Sequence, residues 1–257
     1  MYWMPKAMCL KKYPPSARMP DPIYSDLNEM DYEACLKLQH AVHGARAEGL
    51  LPDTLLLVEH PHVLTFGRRA HAENVLVSES VLQQQQVTCV HIERGGDVTY
   101  HGPGQLLAYP IFALQKCGIG VLDFVEKLEA VMIQVLKDYG ITGERNKRNR
   151  GVWVGNKKIG FVGIAVRKGI SFHGLALNVN PDLSFFQMIN PCGLKEVQIT
   201  SMADLLGKRI SLKKIKDLAI FHFQKIFDMT LEPRDRQVIE SFCGDKPQLN
   251  RRISNKE

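Results

Sequence analysis

The stretch Lys158–Val179, KIGFVGIAVRKGISFHGLALNV, decides how the rest of the chain is read. Two short runs rich in β-branched and aromatic residues, Lys158 to Val166 and Ser171 to Val179, surround Arg-Lys-Gly and predict an antiparallel hairpin. Gly151 to Val154, ahead of a Gly-Asn-Lys turn, predicts a third strand beside it. Further upstream, residues 121–139 place Val121, Val125, Leu128, Met132, Val135 and Tyr139 on one helical face and run into Gly140, a suitable stop. Leu106 to Phe112 reads as a strand, in which Pro110 lacks an amide donor and so predicts a sheet edge or a bulge. Val87 to Glu93, Val63 to Phe66 and Thr54 to Glu59 read as strands, and Ser78 as the cap of a short helix entering Gln83 to Gln86. Residues 31–48 form a helix whose Cys35, Leu38, Val42 and Ala45 make one stripe, with Gly49 as its stop. Toward the C-terminus, Ser211 caps a long helix through Phe227. The expected fold is α+β, a mostly antiparallel mixed sheet flanked by helices. It occupies one domain over residues 23–231, between an irregular leader at 1–22 and a polar, partly disordered extension at 232–257.

A chain of 257 residues can bury a sizeable core without covalent staples. Apolar residues at 45% against charged residues at 23% exclude wholesale disorder. Aliphatic stretches such as Leu55 to Val58 fall far short of the roughly 18 apolar residues of a membrane span, so no membrane partner is expected. Six cysteines with no CxxC pair predict thiols in a reducing, cytoplasm-like compartment. The leader is basic, faintly like a mitochondrial presequence, yet its five prolines would break the amphipathic helix of such a signal. The net charge of +6 gathers at Arg145, Lys147, Arg148 and Arg150, then at Lys208, Arg209, Lys213, Lys214 and Lys216. Such clusters attract nucleic acid or an acidic protein domain, or are simply a solvated surface. The first lacks interleaved aromatics and no nucleic-acid fold motif accompanies it, which speaks against nucleic acid. No Walker or dinucleotide motif is present, and no Cys or His pair has structural-zinc spacing, although His60-Pro-His62 supplies two imidazoles.

Two segments carry candidate chemistry. In Arg94-Gly-Gly-Asp-Val-Thr-Tyr-His-Gly-Pro-Gly-Gln105, four glycines let a ligand approach the main chain, and Arg94, Tyr100, His101 and Gln105 supply polar groups. A plain turn between strands would need only one or two glycines. In the hairpin, Gly163 and Ala165 share one face and Gly174 and Ala176 share another, which predicts a shallow trough for a thin apolar ligand. The bland alternative is a helix packed tightly on that face. Asn190-Pro-Cys-Gly193 then presents the thiol of Cys192 in a tight turn, whereas Cys35 and Cys89 read as small buried hydrophobes. A thiol attacks as thiolate, so a cation should sit near it; Lys158, His101 and His173 are the candidates. Strict alternation sets Lys158 on the face opposite Gly163, an objection that a bulge at Gly160 would remove. These residues suggest a cysteine-based acyl transferase.

The segments EHPHVLTFGRRA (59–70), RGGDVTYHGPGQLLAYP (94–110), GVWV (151–154), KIGFVGIAV (158–166), FHGLALNVNPDLSFF (172–186) and INPCG (189–193) resemble, in order, the lipoyl(octanoyl) transferases of lipoate synthesis. The resemblance covers Ile23 to about Leu231. It implies the catalytic fold of biotin and lipoyl protein ligases, and transfer of an octanoyl or lipoyl group from acyl carrier protein to a lysine of a lipoyl domain. Acceptors would be the E2 subunits of 2-oxoacid dehydrogenases and the glycine cleavage H protein, with no ATP and no metal. Cys192 would carry the acyl thioester, and Lys158 would lower its pKa and shuttle protons. The resemblance assigns substrate binding to Arg94, Gly95, Gly96, Asp97, Val98, Thr99, Tyr100 and His101, to Phe161, Val162 and Gly163, and to Gly174, Leu175 and Ala176, with His173 and Gln105 in support. It implies a cytoplasmic enzyme, in the mitochondrial matrix if eukaryotic. An ATP-dependent lipoate–protein ligase of the same fold is the nearest rival, and a non-catalytic acyl-carrier or nucleic-acid binding protein a rival of another class.

Overall fold

The computed structural model describes residues 21–116, 118–146, 149–190 and 197–241. Their strands are β1 (Ile23–Glu29), β2 (Thr54–Glu59), β3 (Val63–Phe66), β4 (Thr88–His91), β5 (Val98–His101), β6 (Gln105–Ile111), β7 (Glu144–Arg145), β8 (Val152–Val154), β9 (Lys157–Arg167), β10 (Ile170–Asn178), β11 (Gln198–Ile199) and β12 (Glu232–Pro233). The α-helices are α1 (Tyr32–Ala47), α2 (Glu79–Gln84), α3 (Val121–Lys137), α4 (Met202–Leu206), α5 (Leu212–Phe227) and α6 (Arg236–Glu240). None is long and apolar enough to cross a membrane.

The main sheet runs β12-β1-β2-β6-β10-β9-β8-β7, with β11 beside β9. The β9–β10 hairpin closes as its sequence predicts, in regular register from Arg167↔Ile170 to Gly160↔Leu177. Its turn residues Lys168 and Gly169 both take positive φ, which matches the right-handed twist of the strands. Strand alternation divides the core. Leu56 and Val58 of β2 pack with Cys35, Leu38 and Val42 of α1 on one face, while Leu55 and Leu57 pack with residues of α3 and α5 on the other. Asp31 caps α1 by accepting the Ala34 N–H at 3.0 Å. Ser211 likewise caps α5 through the Lys214 N–H.

Several expectations change. β3, β4 and β5 form a second sheet of their own, ordered β4-β3-β5, rather than extending the first. Pro110 lies in an interior strand, since β6 runs between β2 and β10. The ladder of β6 with β10 ends at Leu175↔Ala108, short of Pro110, and other groups bond the backbone there. The His173 N–H donates to Gln39 Oε1 at 2.9 Å, and Ser171 Oγ donates to the Pro110 carbonyl at 2.7 Å. Ser78 precedes α2 without capping it, because its hydroxyl pairs with that of Ser80 at 2.8 Å. Cys89 is exposed rather than buried, because β4 is an outer strand of the small sheet. Residues 232–241 add β12, which pairs with β1, and α6, whose Ile239 is fully buried in the α1 core. The leader up to residue 20, Cys117, Lys147, Arg148, residues 191–196 and the tail from 242 lie outside the described residues.

Candidate active site

A cavity of about 570 Å³ opens between the hairpin β9–β10 and the glycine-rich segment that leads into β5. It gathers much of what the sequence singles out: Arg94 to Asp97, Thr99, His101, Lys158, Phe161 to Gly163, and His173 to Ala176 all line it. Val98, Tyr100 and Gln105 do not. Alternation along β5 turns Val98 and Tyr100 away from the cavity; Tyr100 stacks on Phe185 and bonds His62 Nδ1 through its hydroxyl at 2.8 Å. Gln105 stands behind the wall. Its Oε1 lies 3.1 Å from His101 Nδ1, and its amide nitrogen donates to Asn178 Oδ1 at 3.0 Å.

Lys158 reaches the cavity through the irregularity that alternation demands. β8 pairs with β9 at Trp153↔Lys158 and then at Val152↔Gly160, so β9 carries one extra residue at Ile159. Ile159 turns into the α3 core, while Lys158 joins the face of Phe161, with its Nζ 4.9 Å from that ring's centre. The side chain is only 2% exposed. Its ammonium donates to Asn149 Oδ1 and, at 2.8 Å, to the Arg150 carbonyl. Gly151 makes this approach possible. At φ +123°, a Cβ there would stand 2.3 Å from the Gly160 carbonyl oxygen and 2.8 Å from Lys158 Cε.

The small-residue trough is divided between the two readings. α1 covers its far end, packing Cys35, Leu38 and Val42 with Ala165 and Phe172. The near end, Phe161, Gly163 and Ala176, faces the cavity. Gly163 receives the stem of Arg94, whose Cδ would lie 2.9 Å from an added Cβ. Gly174 admits the backbone of β6, with the Ala108 carbonyl oxygen 2.0 Å from where a Cβ would be.

The polar groups of the glycine-rich segment mostly hold the site together. Arg94 Nη2 donates to the Thr65 carbonyl at 2.5 Å and to Thr65 Oγ1 at 2.9 Å. Asp97 accepts the backbone N–H groups of Val98 at 2.7 Å and His71 at 3.1 Å, and the Asn74 amide at 2.5 Å. The Gly95 N–H is committed to the Ile164 carbonyl at 3.0 Å. Burial drives the His101 pKa down to about 3, helped by the nearby His60 and Arg94, so the ring is neutral. His173, in the left-handed region at φ +55°, is lowered by burial to about 4, although Glu93 lies 3.5 Å from its Nε2. A neutral imidazole is a poor cation for a thiolate, which leaves Lys158 as the strongest of the three candidates.

Tyr32, Tyr109 and Asn149 are among the wall groups that escaped the sequence reading. Tyr32, the first residue of α1, stacks parallel on His101 at 6.1 Å. Tyr109 of β6 bonds His60 Nε2 at 2.9 Å, and burial raises the pKa of both tyrosines. His60 is thereby a structural residue rather than a metal ligand, its Nδ1 held by the Met30 carbonyl at 2.6 Å. Asn149 could have been sought once Lys158 was suspected, since a buried ammonium needs oxygen acceptors. No trio of His, Cys, Asp or Glu among the described residues could hold a metal ion. Cys192 lies outside the described residues.

The fold places the chain in the class of the lipoyl protein ligase A/B catalytic domain. A lipoate–protein ligase A solved with ATP superposes with a TM-score of 0.72 at 15% identity, covering 87% of this chain and 92% of that one. A bipartite lipoate protein ligase from Thermoplasma acidophilum gives 0.70 at 16%, covering 87% and 90%. At such identities the likeness is one of fold. Residues 31–224 match the lipoyl protein ligase A/B catalytic domain. Within that class the sequence is similar to the octanoyltransferase of Syntrophobacter fumaroxidans, 44% identical over 86% of this chain and 96% of the relative. That of Caldicellulosiruptor saccharolyticus is 47% identical over 78% and 86%. The chain belongs to the octanoyltransferase family, whose members are acyltransferases.

Proposed function

We propose that the protein moves an octanoyl group from acyl carrier protein to a lysine of an apo-lipoyl domain, through a thioester on Cys192. The observation that carries this reading is Lys158, a buried ammonium turned by the β9 bulge onto the wall of an apolar-floored cavity. The thiolate of Cys192 would attack the donor's thioester carbonyl, forming one C–S bond as the carrier's C–S bond breaks. Lys158 would stabilise the thiolate beforehand and give a proton to the departing carrier thiol. The acceptor amine then attacks the new thioester, loses a proton to Lys158, and releases Cys192. One thioester replaces another at nearly equal free energy, and the amide formed last is downhill, so the route calls for neither ATP nor metal. Phe161 to Gly163 and Gly174 to Ala176 would bed the acyl chain. Arg94 to His101 would frame its carbonyl end, supported by His173 and Gln105.

Basic side chains near the cavity mouth suit an acidic carrier. Arg69 lines the cavity with an exposed side chain, whereas Arg150 is drawn to Glu126 and Glu129 and Lys216 is committed to Asp26 at 2.7 Å. Intact-mass measurement tests the reading. With octanoyl-acyl carrier protein, and without ATP or acceptor, the protein should gain one octanoyl mass that hydroxylamine removes and an apo-lipoyl domain accepts. Cys192→Ala should gain none, while Cys35→Ala and Cys89→Ala should still be acylated. An unchanged wild-type mass, with lysine acylation that requires ATP, would instead establish a ligase.

A further inference from the structure

Glu129 lies on α3 with no exposed surface, in a position where the helix needs only apolar contact. A buried carboxylate is costly unless it is paired and hydrogen-bonded. Its Oε1 accepts the Gly151 N–H at 2.8 Å. Its Oε2 faces Arg145 Nε at 3.3 Å and Arg150 Nη1 at 3.7 Å. Arg145 also donates to the Glu126 carbonyl, and Arg150 lies 3.5 Å from the Glu126 carboxylate. Arg145, Arg150 and Gly151 bracket the loop whose Asn149 side chain and Arg150 carbonyl receive the Lys158 ammonium. The Trp153 and Phe161 rings also lie near that ammonium. Glu129 therefore holds the Asn149–Gly151 segment directly through the Gly151 N–H, while its Oε2 attracts both arginines without a hydrogen bond.

We propose that Glu129 is a positioning residue for Lys158, acting through the Asn149–Gly151 loop. The inference rests on the role given to Lys158 above. Glu129→Gln keeps the size and an acceptor for Gly151 but removes the charge that draws both arginines. In the full-length protein, kcat for octanoyl transfer should fall about tenfold, with KM for octanoyl-acyl carrier protein within about twofold of wild type. The pH midpoint of Cys192 alkylation by iodoacetamide should rise by about one unit as the ammonium loses its place. A merely structural role would lower the melting temperature and the active fraction while leaving that midpoint alone. Should Glu129→Gln fail to fold, Arg145→Gln carries the test, because Arg145 is 45% exposed; the same shift, smaller, is expected. Lys158→Ala separates the two readings. If it leaves the midpoint unmoved, the role of Lys158 fails; if it moves the midpoint and neither other variant does, the inference about Glu129 is overturned.

Discussion

Lys158 faces the cavity because β9 has one residue too many, and it stays there because two oxygens from successive residues hold its ammonium. Charge and proton exchange are separable at this position. Lys158→Ala should raise the pH at which Cys192 alkylates and cut transfer by a factor on the order of 100 or more. Lys158→Arg keeps a positive charge that is never given up at neutral pH. It should restore rapid alkylation without restoring turnover, and single-turnover transfer assays run beside the alkylation series would detect the split. Identical alkylation profiles for wild type and the Ala variant would remove Lys158 from the site.

The hairpin β9–β10 serves two neighbours along one face, α1 at the Ala165 and Phe172 end and the cavity at the Phe161 and Ala176 end. Its glycines differ in purpose. Gly163 and Gly174 make room for the Arg94 stem and the β6 backbone, so larger residues there would disturb the scaffold as well as the cavity. Ala176 is the cleaner probe of what the cavity holds. Ala176→Leu adds three carbons to the floor and should raise KM for an octanoyl donor about tenfold, with a butyryl donor nearly unaffected. A folded variant that handles both chain lengths like wild type would place the acyl group elsewhere.

Across the whole molecule, the site is built around histidines kept neutral by burial. The pKa values of His60, His101 and His173 fall to about 4, 3 and 4 in the folded chain, against 6.5 for an ordinary histidine. Between those limits the unfolded chain binds protons that the folded chain refuses. Stability is therefore full above about pH 6.5 and is lost progressively as pH falls toward 4. Thermal melts should show a steep fall in Tm from pH 7 to pH 5. Calorimetry at pH 5 in buffers of different ionisation enthalpy should find proton uptake on unfolding, reduced in His60→Phe. A flat Tm over that interval would contradict the burial of these rings as neutral species.

Periodicity and turn chemistry made the long helices and the hairpin legible, because a 3.6-residue stripe or an Arg-Lys-Gly turn is a local property. β5 was hidden inside a segment read for its glycines, β12 is only two residues long, and β1 was missed because its pairing with β2 and β12 depends on partners distant in sequence. For the same reason the sequence could not separate the small sheet from the large one, or put Pro110 inside rather than at an edge. The motifs named the wall residues, yet not which of them touch the cavity. That depended on strand phase, which turned Val98 and Tyr100 away and, through one extra residue at Ile159, brought Lys158 in. Residue types and order determined the family and its candidate chemistry. The contacts of Glu129, Asn149 and Lys158, which belong to segments separated in the chain, were decided only when α3 packed against the sheet and buried a charge that had to find its partners there.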